Sequence, residues 1–525
     1  MVSSQKLLQL SSIISLTYAL PQITEGIQWK PCNQTELPST EPMDCGTLDV
    51  PLDYSDPSSN KTLTLELAKV SAKKPSKGSI LTNFGGPGQQ GRTGLGSQGH
   101  TLSLLSDGQY DIITFDPRGT GNTIPFRCYE DDADSLRIVD AQKYGRASDV
   151  VLGELWAYGG LISETCLRYT EENGSLLGTA FVARDLMSVV DALDEDGMLR
   201  YWGFSYGATL GATVAAMFPD RIDKMVLDGV QNVHEYYHAS ADFEEWTQSD
   251  ETFSGIFSTC LEAPESCALA TPDATAEELE QSVFDFLEHL KYNPIPLKNT
   301  ILDYSKLRSI LSGALYSTVG WPGISATLYQ LMNNNLTEEY LDALELQVTT
   351  TEHIVADTMG LVGIHCGDRI PRTSTLEEFM PTIHQLHNSS EIMGDGTDSL
   401  SMMCAQWKIE AKEIYTGSFE VETPNPVLFV GNTYDGHTPI ASAYNVSAGF
   451  EDSVVLEVNG YGHASLGLPS ACSQKHVAAY WVDGTMPEKG TVCEVDAHPF
   501  GNTTWDDVVG GNVNSGDNKP RLFQH

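Results

Sequence analysis

Two periods run along this chain. Short, mainly apolar runs alternate with longer segments whose apolar residues recur every three or four positions, and these predict strands and helices respectively. Ser79-Ile80-Leu81-Thr82, Leu199 to Trp202, Pro426-Val427-Leu428-Phe429-Val430 and Val454-Val455-Leu456-Glu457-Val458 have the length and composition of buried strands. Ala208, Leu210, Val214, Ala215 and Met217 mark a helix that stops at Phe218-Pro219, since proline cannot continue the backbone bonding. Strands alternating with helices fill 20–230 and 424–525 and predict one mostly parallel central sheet with helices on both faces. The intervening stretch, 231–423, carries helical patterns such as Ala276 to Leu290 and Glu338 to Thr350 and few strand-like runs, so a large, mainly helical cap insertion is expected there. Its size agrees with the length of the chain, since a core of this kind uses roughly 250 to 300 residues and the chain has 525. No internal repeat is visible, and the Gly/Asn-rich tail from Gly510 to Asp517 is expected to be flexible.

The most informative chemistry lies between the Leu199 to Trp202 strand and the helix that follows it, where Gly203-Phe204-Ser205-Tyr206-Gly207 stands. A strand, a sharp turn and a helix in that order would hold Ser205 on a strained elbow and present its hydroxyl at the positive end of the helix. The flanking glycines are needed because side chains there would collide with neighbouring backbone. A serine hydroxyl is a poor nucleophile near neutral pH and needs a base, an orienting acid and donors for the developing oxyanion. Asp435 follows the apolar run ending at Val430, and His463 follows the run ending at Val458, within Gly460-Tyr461-Gly462-His463. Ser, Asp, His is the chain order of α/β-hydrolases and differs from that of the chymotrypsin and subtilisin types. Asp228, which ends the strand after the elbow helix, is the alternative acid. The layout with the acid after the penultimate strand and the base after the last favours Asp435, leaving Asp228 to cap the next segment or brace the site. For the oxyanion, backbone N–H groups are expected from Tyr206 and from the loop Asn83-Phe84-Gly85-Gly86-Pro87-Gly88, where Gly85 and Gly86 allow close approach of the main chain.

These residues resemble a known group, the secreted tripeptidyl-aminopeptidase-like hydrolases related to prolyl aminopeptidases, within the α/β-hydrolase fold. The likeness covers most of the chain. It includes Gly46-Thr47-Leu48-Asp49-Val50-Pro51-Leu52-Asp53-Tyr54, Gly85 to Gly88, Phe115-Asp116-Pro117-Arg118-Gly119, the elbow through Tyr206-Gly207, Asp228-Gly229, Asp435 with Thr438-Pro439, and Gly462-His463. The resemblance implies cleavage of peptides from a free N-terminus by a serine nucleophile without a cofactor. Gln89-Gln90-Gly91 depart from the small residues usual after this loop, which implies a narrower or more polar mouth. Relatives with the same triad hydrolyse other amides and esters, so an esterase, lactonase or amidase acting on small molecules is the alternative function. A hydrolase-fold binding protein without turnover is the second.

The compartment is read from the N-terminus, the cysteines and the sequons. Lys6 precedes a moderately apolar stretch from Leu7 to Leu20, with Thr17-Tyr18-Ala19 suited to signal-peptidase cleavage, so 1–19 reads as a signal peptide and the product as secreted. Ten cysteines in an exported chain suggest disulfides. Spacing favours local pairs, Cys32 with Cys45, Cys128 with Cys166, Cys260 with Cys267, Cys366 with Cys404 and Cys472 with Cys493, although connectivity stays open at this level. Zinc is not expected without a Cys-x-x-Cys pair. Seven Asn-x-Ser/Thr sequons, at Asn33, Asn60, Asn173, Asn335, Asn388, Asn445 and Asn502, fit a glycosylated product. A formal net charge of −41 argues against nucleic acid and anionic membrane surfaces as partners and leaves a short peptide or a small ester or amide as the substrate. An exopeptidase must also hold an ammonium group. Glu235, Asp242, Glu244 and Glu245 are the candidate carboxylates, against the plainer reading that they are helix surface.

Overall fold

Ten strands form one sheet among the described residues, in the order β1-β2-β3-β5-β4-β6-β7-β10-β11-β12. The computed structural model describes residues 26–509 except 131–133, 135, 137–141, 171–172 and 350–351. The expected signal peptide, 1–19, and the tail from Gly510 to Asp517 lie outside the described residues. The strands are β1 (Lys30–Pro31), β2 (Met43–Pro51), β3 (Thr62–Val70), β4 (Ser79–Asn83), β5 (Asp111–Phe115), β6 (Leu199–Phe204), β7 (Ile222–Asp228), β10 (Leu428–Tyr434), β11 (Val454–Tyr461) and β12 (Val492–Glu494). β1, β2, β3 and β5 pair antiparallel in turn, and every pairing from β5 through β4, β6, β7, β10 and β11 to β12 is parallel. A separate two-residue pair, β8 (Ile295–Pro296) with β9 (Ile301–Leu302), lies in the insertion.

Alternation along the strands sends neighbouring residues to opposite faces, and helices cover both. Leu81, Ile113, Tyr201, Leu227, Phe429 and Val455 pack with the helices Thr179–Ala192 and Tyr206–Met217. Ile80, Ile112, Trp202, Val226, Leu428 and Leu456 pack with Gly91–Leu105 and Ala471–Asp483. β4 and β6 are buried along their whole length, including Ser79, Thr82, Asn83 and Arg200 among their apolar residues. β6 continues two residues past the expected end at Trp202, because parallel pairing with β7 extends through Gly203↔Leu227 and Phe204↔Asp228.

The insertion is helical as expected. The patterns at 276–290 and 338–350 fold as Ala276–Tyr292, opened by a Thr275/Glu278 capping box, and Glu338–Val348. The helical layer is not drawn from 231–423 alone, however. Val151–Tyr169, upstream of the elbow, packs along Asp398–Ala405, where a Cβ on Gly159 would stand 3.1 Å from the Met403 backbone. The disulfides Cys128–Cys166 and Cys366–Cys404 meet in the same apolar cluster, with Met359 and Trp407. All five cysteine pairs favoured by spacing are joined, the others being Cys32–Cys45, Cys260–Cys267 and Cys472–Cys493. Among the described residues no helix is long and apolar enough to cross a membrane.

Two separate sequence motifs converge on one buried carboxylate. Arg118, after β5, donates to Asp185 at 2.6 and 2.9 Å and to the carbonyls of Pro51 and Leu52 at 2.6 Å, while the Tyr54 hydroxyl donates to Asp185 at 2.8 Å. Both charged side chains are fully withdrawn from solvent. Asp185→Ala leaves the guanidinium buried without its counter-charge and is expected to destabilise the fold by about 3–5 kcal/mol, read from urea unfolding. A midpoint within error of the native one would show that the pair does not hold these segments.

Candidate active site

Only one residue separates β6 from the helix Tyr206–Met217, and that residue is Ser205, with φ 57° and ψ −127°. Such a conformation costs a non-glycine residue on the order of 1–3 kcal/mol and persists only where the surroundings over-determine it. Here the Ser205 amide donates to the Asp228 carbonyl at 3.0 Å, the Ala208 amide returns to the Ser205 carbonyl at 2.8 Å, and neighbouring backbone closes in on both pentad glycines. A Cβ on Gly203 would lie 2.1 Å from the Gly207 carbonyl oxygen, and one on Gly207 would lie 2.3 Å from that of Asn83. Ser205 keeps partial exposure while the residues on either side are buried.

Asp435 is wholly buried one residue beyond β10 and is surrounded by donors. Its Oδ1 accepts the amides of His437 (2.9 Å) and Thr438 (2.8 Å), and its Oδ2 accepts the Thr438 hydroxyl (2.9 Å) and the Ala464 amide (3.0 Å). His463 Nδ1 lies 3.0 and 3.1 Å from the two oxygens. Burial opposes ionisation of Asp435, but the His463 charge and these hydrogen bonds outweigh it and hold the carboxyl below its ordinary value. The same contest acts on His463 in the opposite sense: burial disfavours its cation, and the charges of Asp435 and Asp228 prevail and raise it above the ordinary 6.5. With Nδ1–H donated to the carboxylate, Nε2 carries the free lone pair. The structure therefore brings Asp435 and His463 together. Among the described residues no hydrogen bond joins Ser205 to that imidazole, as is common for such sites without substrate.

The glycine loop meets the elbow directly. Gly85 has φ 95°, and a Cβ there would stand 2.7 Å from the Phe204 carbonyl oxygen and 2.8 Å from Ser205 Cβ. Its own amide is already engaged, donating to Asn83 Oδ1 at 3.0 Å. Neither the Gly86 nor the Tyr206 amide has an acceptor among the described residues. Two unengaged N–H groups thus flank Ser205, at Gly86 and Tyr206, with Gly85 holding the loop in place.

The insertion supplies the rest of the surroundings. The His463 amide donates to the Tyr316 carbonyl at 2.9 Å, and the Tyr316 ring meets the His463 imidazole edge-on, 5.2 Å between centroids. His437 stacks on Tyr316 at 3.7 Å. Burial, helped by the His463 charge, lowers it to about 3, so it stays neutral. The four candidate carboxylates near Asp228 are not helix surface. Asp242 is buried, donated to by Arg369 at 2.5 Å with His365 at 3.3 Å; burial resists its charge, but these two groups hold it well below the carboxylate range. Glu244 accepts from Asn232, Ser442 and Asn445, and Glu235 accepts the Glu244 amide. Among the described residues Glu245 makes one hydrogen bond, accepting from Gln231 Nε2 at 3.3 Å, and burial together with the Asp242 charge raises it well above its ordinary value. Gln231 also accepts from Thr209, one turn beyond Ser205 on the elbow helix, and the charge of Glu245 is felt at Tyr316. Sequence reading missed Tyr316, His437 and Arg369. Only the four-residue spacing of His365 and Arg369 on one helix face offered a signal.

Asp228 is buried and accepts both the amide and the hydroxyl of Ser465, so it braces the loop that carries His463. Cys472, His476 and Cys493 come within metal-ligand distance of one another, but their two sulfurs are joined in a disulfide. The asparagines of all seven sequons are exposed.

A family model described as TAP-like protein matches residues 390–493. Serine protease Hip1 of Mycobacterium tuberculosis is 26% identical over 497 residues, covering 90% of this chain and 92% of the relative. Tripeptidyl aminopeptidase of Streptomyces lividans is 26% identical over 501 residues, covering 90% and 88%. A protein named Carboxylesterase B, also from Mycobacterium tuberculosis, is 24% identical over 508 residues, covering 91% and 92%. On its sheet topology and these likenesses the chain has the α/β-hydrolase fold, is similar to TAP-like proteins, and is a serine hydrolase of the peptidase type.

Proposed function

We propose that this protein is an exported exopeptidase in which Ser205, His463 and Asp435 act as a catalytic triad. The observation that carries the reading is the Asp435–His463 pair, set at the sheet edge beside a serine whose backbone is strained outward. In this mechanism Nε2 of His463 takes the proton of the Ser205 hydroxyl as Oγ attacks the acyl carbon. The amides of Gly86 and Tyr206 donate to the oxyanion that forms, and Gly85 seats the loop that carries the first of them. His463 then gives the proton to the leaving amine, and water hydrolyses the acyl-enzyme by the same route. Asp435 orients the ring and stabilises its cation. The relatives named as a serine protease and a tripeptidyl aminopeptidase support a peptide as substrate.

A free N-terminus is recognised by Glu245. Asp242, Glu235 and Glu244 are each already bonded within the protein, whereas Glu245 makes one hydrogen bond among the described residues, is raised well above its ordinary value by burial and the Asp242 charge, and lies beside the elbow helix. An ammonium group would supply the counter-charge that this carboxyl lacks. Export is supported by the five disulfides and the exposure of the sequon asparagines. The likeness to a protein named Carboxylesterase B favours, as a second reading, an ester substrate for the same site.

Ser205→Ala is expected to fold normally and to lose activity by on the order of 10⁴-fold or more, measured on short peptide amides. Full activity in that variant would remove the serine from the mechanism. Glu245→Gln is expected to lower kcat/KM for peptides with a free amine about 10- to 100-fold, and N-acylated peptides or simple esters should be poor substrates of both forms. Equal turnover of blocked and free substrates would decide for the ester reading. Because the base must be neutral and His463 is raised above 6.5, activity should fall with decreasing pH along a limb centred above that value. A kcat/KM profile flat down to pH 4 would rule out the imidazole as base.

A further inference from the structure

Asp228 is a buried carboxylate beside the site that the proposed mechanism leaves unused. It closes β7 without exposure, and it touches both halves of the site. Its main-chain carbonyl accepts the Ser205 amide at 3.0 Å, across the register that pairs Phe204 with Asp228. Its Oδ1 accepts the Ser465 amide at 2.8 Å and its Oδ2 accepts the Ser465 hydroxyl. The next residue packs on the same loop, since a Cβ on Gly229 would stand 3.0 Å from Ala464 Cβ and 3.2 Å from Thr438 Oγ1. A two-residue step of chain thus holds the elbow of Ser205 by its backbone and the loop of His463 by its side chain.

The choice of a carboxylate is not explained by bonding alone. The titratable groups facing it are Asp435, from the end of β10, and His463, from the loop after β11; β6 and Ser465 bring none. His437, from the turn after Asp435, faces the same two groups. Burial, opposed by the Ser465 bonds and reinforced by the Asp435 charge, raises Asp228 to about 7. A proton on Oδ2 does not break the clamp. The Ser465 hydroxyl accepts from a protonated oxygen as well as it donates to a charged one, and the amide bond to Oδ1 is unchanged. What protonation removes is a negative charge facing the imidazole.

We propose that Asp228 is a positioning residue that fixes the nucleophile elbow against the base loop, and that its carboxylate is the second negative charge, after Asp435, opposite the His463 cation. The inference rests on the triad reading. With purified full-length protein, Asp228→Ala is expected to lower kcat about 100-fold at unchanged KM, as a displacement of about 1 Å between reacting groups does. Asp228→Asn has the same shape and keeps both Ser465 bonds, accepting the amide at Oδ1 and donating from Nδ2 to the hydroxyl. It should restore most of the lost kcat while moving the acid limb of the kcat/KM profile to lower pH, by about half a unit, because a cation loses a facing anion. A merely structural residue would shift the melting temperature and leave the limb where it was. Native kcat in Asp228→Ala, or a native acid limb in Asp228→Asn, overturns the proposal, and the isosteric variant keeps the test readable if the alanine variant does not fold. His463→Ala separates the two levels. If it retains turnover and the limb, the triad reading falls; if it is inactive while the Asp228→Asn limb is unmoved, only the role of Asp228 falls.

Discussion

A carboxylate taken wholly out of water sits at the C-terminal edge of the sheet, and the geometry around it follows from the need to keep it charged. An unpartnered buried carboxyl would take up a proton. Asp435 stays ionised because three amides, one hydroxyl and one imidazole converge on it from two loops, 435–438 and 463–464. The loops after β10 and β11 must therefore be in register for any of these bonds to form. Asn432 enforces that register from inside β10, donating to the carbonyls of Gly462 and Ala464 at 2.8 Å each. Tyr316 from the insertion and Asp228 from β7 hold the same loop from two further directions. The imidazole is thus positioned by four elements rather than by its carboxylate alone.

The acidic surplus of the chain is used unevenly around the site. Asp242 is neutralised locally by Arg369 and His365, Asp185 by Arg118, and Asp116 by Arg92. Among the described residues Glu245 forms no ion pair; the Arg369 charge eases its ionisation less than burial and the neighbouring Asp242 oppose it, so a further positive group would favour its charged form. An amine binding there would gain both a counter-charge and release from like-charge repulsion. That is a specific physical reason for preferring a substrate with a free N-terminus over a blocked one.

Much of the sheet was legible because buried parallel strands are mainly apolar and the chain shows them as short, apolar-rich runs. The strand, turn and helix of the elbow were legible for a related reason, and so was the proximity of Asp435 and His463, which stand a few residues beyond the ends of two adjacent strand-forming runs. Local pairing of the cysteines was also readable, as short loops leave few alternatives. Contacts between distant segments were not. Nothing in 151–169 signals that this helix joins the layer formed by the insertion, because its apolar spacing would suit either face of the sheet. The engagement of the Gly85 amide by Asn83 Oδ1 depends on a turn two residues long, and composition says only that a glycine loop is present. The partners of Glu235, Asp242, Glu244 and Glu245 come from up to 200 positions away, so a reading of charge spacing placed them on a solvated surface instead.

The insertion is tied to the catalytic floor at both walls of the space above Ser205. The middle of the helix Glu352–Asp368 lies on Gly88, where a Cβ would stand 2.5 Å from the Asp357 carbonyl oxygen and 2.7 Å from the Leu361 amide. At its end Asp368 accepts the Thr179 amide and hydroxyl and the Tyr236 hydroxyl, and the Thr179 hydroxyl meets that of Tyr206 at 2.6 Å. One helix therefore contacts the loop carrying Gly86 and, through Thr179, the residue whose amide stands opposite. The same helix is fastened by Cys366–Cys404 to Asp398–Ala405, and that helix packs on Val151–Tyr169, itself held by Cys128–Cys166. Swinging this part of the insertion away would break a covalently braced stack and disturb both amides at once. On the proposed reading, an insertion braced in this way over the site would limit substrate length and favour short peptides over folded chains.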